Sequence, residues 1–105
     1  MKVVAVNGSP KSDGNTAQAL RMVLQELEQR GIETETIHVG NKPVRGCLAC
    51  GQCAKARDEQ CSIKDDGVNG WIQQLEQADG IVLGSPVYFS AIAGTMKCFL
   101  DHAFY

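Results

Sequence analysis

The chain has 105 residues, of which 44% are hydrophobic and 21% charged, and its formal net charge is -2. This length limits the chain to one domain with a modest core. The small net charge gives no broad positive field for nucleic acid or an anionic membrane, and the first apolar run, Val3 to Val6, is far too short for a signal peptide or membrane span. We therefore expect a cytoplasmic protein that binds neither nucleic acid nor membrane.

The first elements are a strand and an amphipathic helix. Lys2 to Val6 is a short β-branched run bounded by turn residues, which predicts a buried strand. From Asn15 onward, apolar residues recur at the spacing of one helical face, with Asn15 or Thr16 as candidate caps and Gly31 as the terminator. The apolar face of this predicted helix consists of Leu20, Val23, Leu24 and Leu27.

A second strand and a long loop follow. Ile32 to Val39 is rich in β-branched residues that alternate with acidic ones, which predicts a partly exposed strand near a sheet edge. Residues 40–65 show no periodicity and contain Pro43, Gly46 and most of the cysteines. A loop this long in a small domain is usually functional.

The last predicted elements are a helix, a strand and another helix. Asp65 or Asp66 is a candidate cap for the helix, and Ile81 to Leu83 is predicted to be a buried strand. The core face of the second helix consists of Val68, Trp71, Ile72 and Leu75, and that of the third consists of Met96, Phe99, Leu100 and Ala103.

The order of these elements predicts the fold class. Alternating strands and helices are typical of an α/β protein with an open parallel sheet and helices on both faces. Three predicted strands are fewer than such sheets usually have, and the last helical pattern has no terminating glycine. We therefore expect the first part of a larger domain, in which the sheet is incomplete after the third strand and third helix.

Residues 8–16 form a polar loop between the first predicted strand and the first predicted helix. Free backbone N–H groups and the positive end of the helix dipole favour a phosphate at such a position. Ser9, Asn15 and Thr16 add side-chain donors, and Lys11 adds a counter-charge. The loop matches neither the dinucleotide nor the nucleotide-triphosphate fingerprint, and a plain capped turn is the alternative interpretation.

A cysteine cluster follows the second strand. Cys47, Cys50, Cys53 and Cys61 have the spacing C-x2-C-x2-C-x7-C, which allows the thiolates to converge on one centre. Three cysteines at three-residue intervals favour an iron–sulfur cluster over zinc. Zinc, free thiols and disulfide-linked thiols stay open as alternatives. We expect the fifth cysteine, Cys98, to be a buried thiol on the third helix.

A loop with a proline and two aromatic residues follows the third strand, at Ser85-Pro86-Val87-Tyr88-Phe89. In this topology the C-terminal ends of the first and third strands meet where ligands bind, and such a crevice would suit a flat ring. Packing in the core or on the surface is the alternative role for these side chains. His38, at the end of the second strand, has no partner visible in the sequence and is expected to be structural or solvent-facing.

These motifs together span nearly the whole chain. They are the loop at 8–16, the cysteine block with Lys64-Asp65-Asp66, Ala78-Asp79, Gly84 to Tyr88, Met96-Lys97 and Leu100-Asp101. In this combination the chain resembles the flavodoxin-like NAD(P)H-dependent FMN reductases, especially the iron-sulfur flavoproteins. The resemblance implies a flavodoxin-like FMN-binding domain over residues 1–105, incomplete at its end, with the cysteine-rich loop at 40–65.

The resemblance also implies two cofactors. FMN would bind noncovalently through its phosphate and its isoalloxazine ring, and a [4Fe-4S] cluster would bind the clustered cysteines. The phosphate residues would be Ser9, Lys11, Gly14, Asn15 and Thr16, the ring residues Pro86, Val87, Tyr88 and Phe89, and the cluster ligands Cys47, Cys50, Cys53 and Cys61.

The implied activity is electron transfer from NAD(P)H or a ferredoxin-like donor to a small-molecule or protein acceptor, in a homodimer or homotetramer. No side chain is expected to be catalytic, because the cofactors carry the chemistry. The competing interpretation is a truncated nonenzymatic fragment, or a metal-binding or redox-sensing interaction module without flavin.

Overall fold

Three parallel strands form the main sheet of the computed structural model, which describes residues 1–56 and 67–104. The strands are β1 (Lys2–Asn7), β2 (Glu33–His38), β3 (Gly80–Gly84), β4 (Val87–Tyr88) and β5 (Ala91–Ile92). The helices are α1 (Asn15–Gln29), α2 (Gln52–Ala56), α3 (Val68–Glu76) and α4 (Gly94–Ala103). None of the described helices is long and apolar enough to cross a membrane.

The central strand of the main sheet is β1, in the order β2-β1-β3. It pairs with β2 along its whole length and with β3 from Val3 to Asn7. At the C-terminal end of the sheet, Asn7 lies opposite His38 on one side and Gly84 on the other. Residues 3 to 7 are all buried, as expected for a parallel strand covered on both faces. Among the described residues β2 pairs only with β1, so its predicted position at a sheet edge is confirmed there.

Helices cover both faces of the sheet. On one face, Leu20 and Leu24 of α1 pack with Val3 and Ala5. On the other face, α3 and α4 contribute the side chains that pack over β1 and β2, and Trp71 of α3 lies edge-on to the Phe99 ring of α4 with 5.8 Å between the ring centroids. The central side chains of this second cluster are Val4, Val6, Ile37, Val39, Leu75, Met96 and Phe99. The predicted α/β class is therefore confirmed.

The first helix differs from its prediction at its start and on one face. Its N-cap is Gly14, with no side-chain hydrogen bond, so neither Asn15 nor Thr16 is the cap. Val23 is 44% exposed, because it lies at the margin of the apolar stripe rather than at its centre. Gly31 ends the helix as predicted, with a left-handed φ of 81° that an L side chain rarely adopts.

The predicted burial of β3 is wrong. Ile81 and Leu83 are 40% and 47% exposed. The register places them on the same face as Val4 and Val6, but the helices on that face pack over β1 and β2. In the described residues β3 pairs only with β1, so it is an edge strand.

Two short elements were not predicted. A hairpin joins β4 to β5 through Phe89 and Ser90, whose φ angles are 48° and 64°. Two consecutive positive φ angles are typical of a type I′ turn, which usually contains asparagine and glycine. The helix α2 lies within the predicted loop at 40–65. At the start of α3 the cap position belongs to Gly67, so it is not taken by Asp65 or Asp66, which lie outside the described residues.

Candidate functional site

The loops that follow β1 and β3 begin side by side. The Gly8 N–H donates a hydrogen bond of 2.8 Å to the Gly84 carbonyl. Both glycines are closely packed: a Cβ on Gly8 would lie 2.8 Å from the Met96 side chain, and one on Gly84 would lie 3.0 Å from that of Leu20. The structure therefore brings the two predicted site loops together at the C-terminal end of the sheet, where open α/β folds bind ligands.

Ser9, in the first loop, is fixed by three hydrogen bonds and is only 6% exposed. Its N–H donates to Asn7 Oδ1 at 2.9 Å, and its Oγ accepts from the Lys11 N–H at 3.2 Å. Its carbonyl lies 2.7 Å from His38 Nε2. The loop conformation at Ser9 is therefore set by protein contacts.

The chain after β2 closes against the same loop. The Asn7 carbonyl accepts hydrogen bonds from Val39 N–H and Gly40 N–H, at 3.0 and 3.2 Å. A Cβ on Gly40 would lie 2.1 Å from the Ser9 carbonyl oxygen, so only glycine fits here. His38 has a partner that the sequence did not reveal, the Ser9 carbonyl, which agrees with the structural alternative. The parallel register was the missing signal, because it places His38 opposite Asn7, two residues before Ser9.

The N-terminus of α1 is open. Gly14 supplies no capping side chain, the first turn contains no acidic residue, and the Gln18 N–H is bonded to the Gly14 carbonyl at 3.0 Å. The backbone N–H groups at the start of a helix have no partner within the helix and carry partial positive charge. Asp13, the nearby acid, is paired with Arg21 at 2.9 Å. This arrangement suits an anion.

The predicted phosphate residues surround this helix end. Lys11 and Asn15 are exposed, whereas Gly14 and Thr16 are half-buried. With the buried Ser9 hydroxyl, they offer an ammonium group, an amide, two hydroxyls and backbone N–H groups within one loop and one helical turn. The donor set therefore fits a phosphate.

The hairpin after β3 carries the predicted ring residues. Ser85 holds its base: the Oγ accepts from the Ala93 N–H and donates to the Pro86 carbonyl, both at 2.9 Å. Pro86 is half-buried, Val87 and Tyr88 are exposed, and Phe89 is fully exposed. These side chains are not part of the core, so core packing does not account for their apolar character.

The cysteine segment, defined here as residues 46–56, is much more open. Cys47 and Cys50 are exposed and Cys53, on α2, is half-buried. The backbone turns at Ala49 and Gly51, which have φ angles of 56° and 77°. The Ala49 N–H lies 3.3 Å from Cys47 Sγ and donates to it, a type of bond that stabilises cluster-ligating thiolates.

The four-cysteine ligand set stays a prediction. Within residues 1–56 and 67–104, no group of three or more His, Cys, Asp or Glu side chains is placed to hold a metal ion. Cys61, the fourth predicted ligand, lies outside the described residues. Thiol groups are the donors that an iron–sulfur cluster takes, and the described residues supply three of them, at Cys47, Cys50 and Cys53.

The start of the cysteine segment packs on α4. A Cβ on Gly46 would lie 4.0 Å from Cys98 Sγ. Cys98 is half-buried, so the prediction of a buried thiol is wrong, because this side chain lies at the margin of the apolar face of α4.

The NADPH-dependent FMN reductase family matches residues 1–105 of this sequence. The chain belongs to this family. An iron-sulfur flavoprotein of Methanocaldococcus jannaschii is 38% identical over 103 residues, which cover 98% of this chain and 52% of the relative. The FMN reductase (NADPH) of Pseudomonas putida is 29% identical over 101 residues, 96% of this chain and 46% of the relative. The chain thus spans about half the length of the curated relatives it matches.

Solved structures share the fold of this FMN reductase family member. The apo form of the NADH:FMN oxidoreductase EmoB has a TM-score of 0.66 at 23% sequence identity, over 95% of this chain and 48% of that one. RosB, with bound 8-demethyl-8-formylriboflavin-5'-phosphate, has a TM-score of 0.73 at 18% sequence identity. The match covers 96% of this chain and 41% of RosB. These likenesses confirm the flavodoxin-like fold.

Proposed function

We propose that the chain supplies the FMN-binding part of an NAD(P)H-dependent oxidoreductase. The observation that carries this proposal is the uncapped N-terminus of α1 beside the buried, hydrogen-bonded Ser9, next to the exposed apolar hairpin. An anion site and an apolar surface at one end of the sheet suit a ligand with a phosphate and a flat ring. Membership of the family and the printed name of the Pseudomonas putida relative support the same cofactor.

The phosphate would be held by the first loop and helical turn. Lys11 offers the positive charge, and the hydroxyls of Ser9 and Thr16 can donate, because accepting a bond from Lys11 N–H leaves the Ser9 hydroxyl hydrogen available. Gly14 leaves the helix end open, and Asn15 adds an amide. The contribution of the helix is its free N–H groups.

The hairpin would hold the flavin ring. A mainly apolar surface, whose burial against a ring is favourable, is offered by Pro86, Val87, Tyr88 and Phe89. Bound FMN supplies hydride and electron transfer chemistry, so these side chains need only bind the ring, orient it and exclude water.

We further propose that Cys47, Cys50, Cys53 and Cys61 ligate a [4Fe-4S] cluster. The thiol donors, the N–H···S bond to Cys47 and the names of the iron-sulfur flavoprotein relatives support it. In the whole protein, electrons would come from NAD(P)H or a ferredoxin-like donor and leave to a small-molecule or protein acceptor. A homodimer or homotetramer in the cytoplasm is part of the same proposal.

The test is a purification without oxygen, followed by a visible spectrum and by flavin, iron and zinc quantification on the same sample. We expect about one FMN and about four irons per chain, with flavin bands over a broad iron–sulfur absorbance. A colourless, iron-free protein that takes up no added FMN would overturn the proposal. Metal without flavin would favour the interaction-module alternative.

A further inference from the structure

His38 reaches the loop at residues 8–16, here named the phosphate loop after its proposed ligand, from a neighbouring strand. It is the last residue of β2 and half-buried, with Nε2 2.7 Å from the Ser9 carbonyl. Because a carbonyl oxygen only accepts hydrogen bonds, Nε2 must carry the hydrogen and donate it. The imidazole therefore acts here as a donor to the loop backbone.

This bond fixes the direction of one peptide group. The Ser9 carbonyl oxygen lies between His38 and Gly40, where a Cβ would come within 2.1 Å of it. The other polar groups of Ser9 are bonded to Asn7 and Lys11 of the same β1-loop segment. His38 thus ties Ser9 itself to the end of β2 through a side chain.

We propose that His38 is a positioning residue of the phosphate subsite. It holds the Ser9 carbonyl toward the end of β2, so that the loop presents N–H and hydroxyl groups, and not a carbonyl oxygen, to an anion. A carbonyl oxygen carries partial negative charge and would repel a phosphate. This inference rests on the proposed binding of FMN and assigns to His38 the selection for the phosphate-bearing form of the flavin.

The consequence is specific to the phosphate. Riboflavin has the same ring as FMN but no phosphate, so its binding does not depend on the direction of the Ser9 carbonyl. Removing the imidazole leaves the buried Ser9 carbonyl without its donor. Because Pro10 fixes the φ angle that follows, the carbonyl then changes direction through the ψ angle of Ser9. We expect FMN binding to weaken about tenfold and riboflavin binding to stay unchanged.

The experiment compares His38→Leu and His38→Gln with the unmodified chain. Dissociation constants for FMN and for riboflavin are measured by quenching of flavin fluorescence, and thermal unfolding checks that each variant is folded. The Gln amide can place a donor near the position of Nε2, so we expect it to restore most of the preference for FMN. The other histidine of the chain, at position 102, gives the matched control His102→Leu, for which both constants should stay the same.

The outcomes separate this role from the proposed function. An unmodified chain that binds neither flavin would overturn both. An unmodified chain that prefers FMN, together with a His38→Leu variant that keeps the full preference or loses both flavins equally, would overturn the role of His38 alone. If His38→Leu does not fold, His38→Asn replaces it, because the shorter amide does not reach the carbonyl, and the same criteria apply.

Discussion

The proposed phosphate loop and the cysteine segment lie in one chain but are built differently. In the loop, Ser9 is buried and each of its polar groups is bonded within the protein. In the cysteine segment, Cys47 and Cys50 are exposed, and the bond to Cys47 Sγ comes from Ala49 within the same turn. Folding therefore fixes the first site in advance, whereas binding of a cluster would complete the second, as is common when metal binding and folding are coupled.

Disturbing the fixed loop is expected to have the largest effect. In Gly40→Ala the new Cβ would meet the Ser9 carbonyl at 2.1 Å and the Gly8 carbonyl carbon at 2.5 Å, both of which are backbone atoms. We expect a loss of about 3 kcal/mol in the free energy of unfolding. The loss of FMN affinity should be larger than that of His38→Leu. Urea unfolding and flavin titration measure the two effects.

Gly70→Ala is the matched control. Nothing lies within 4 Å of the added Cβ, and the residue is exposed on α3. This variant should be stabilised by up to about 1 kcal/mol, since alanine favours a helix over glycine. Equal destabilisation by the two substitutions would contradict the close packing at Gly40.

Removal of a thiol is expected to affect only the cysteine segment. Cys53→Ser should lose the iron and the iron–sulfur absorbance while keeping FMN affinity within about twofold, because the phosphate loop does not take its conformation from the cysteine segment. Cys98→Ser is the control and should keep both cofactors. Iron quantification and flavin titration under anaerobic conditions are the measurements. Loss of FMN affinity in Cys53→Ser would show that the two sites are not independent.

A substitution in the core should change stability and leave both regions unchanged. His102 is buried, and neither ring nitrogen has a hydrogen-bond partner among the described residues. Because a buried polar group without partners is costly, His102→Leu should raise the melting temperature by a few degrees. Iron content and FMN affinity should not change. A melting temperature several degrees lower would show that the imidazole is satisfied in solution.

The smallest expected effect lies on the sheet, away from both regions. The hydrogen bond and ion pair to Glu35, at 2.7 Å, raise the pKa of Lys2 above its ordinary value. The stabilisation should be present at pH values below the ordinary lysine pKa, and it should disappear as the pH rises through the higher folded pKa. Between about pH 9 and 11.5, the unfolding midpoint should therefore fall less steeply with rising pH in Glu35→Gln than in the unmodified chain. Parallel curves would exclude a contribution of this pair.

The sequence predicts the sheet and its helices well, because strong periodic patterns determine them. The β-branched run of β1 and the spacing of Leu20 and Leu24 give the central strand and the helix that covers it. The predicted caps of α1 were wrong. Asn15 and Thr16 are good caps by residue type, but Asn15 is already the first helical residue and Gly14 is the cap.

The local sequence patterns do not show how elements that are distant in the sequence pack against one another. The exposure of Ile81 and Leu83 depends on where α3 and α4 pack, which no local pattern gives. The hairpin was missed because Phe89 and Ser90 are unusual in a type I′ turn. The partner of His38 follows from strand register, and the two loops meet only because β3 lies next to β1.

The central position of β1 also affects how the chain folds. Its neighbours are residues 33–38 and 80–84, and Lys2 and Asp79, which exchange hydrogen bonds of 2.8 Å, are 77 positions apart. Contacts between such distant positions slow folding, because a long loop must close before they form. At translation rates of about 5–20 residues per second, β3 would be synthesised roughly 4 to 16 s after β1. Until then, one edge of the apolar strand β1 lacks its neighbour. Chaperone access during synthesis is therefore expected to influence the yield of native protein.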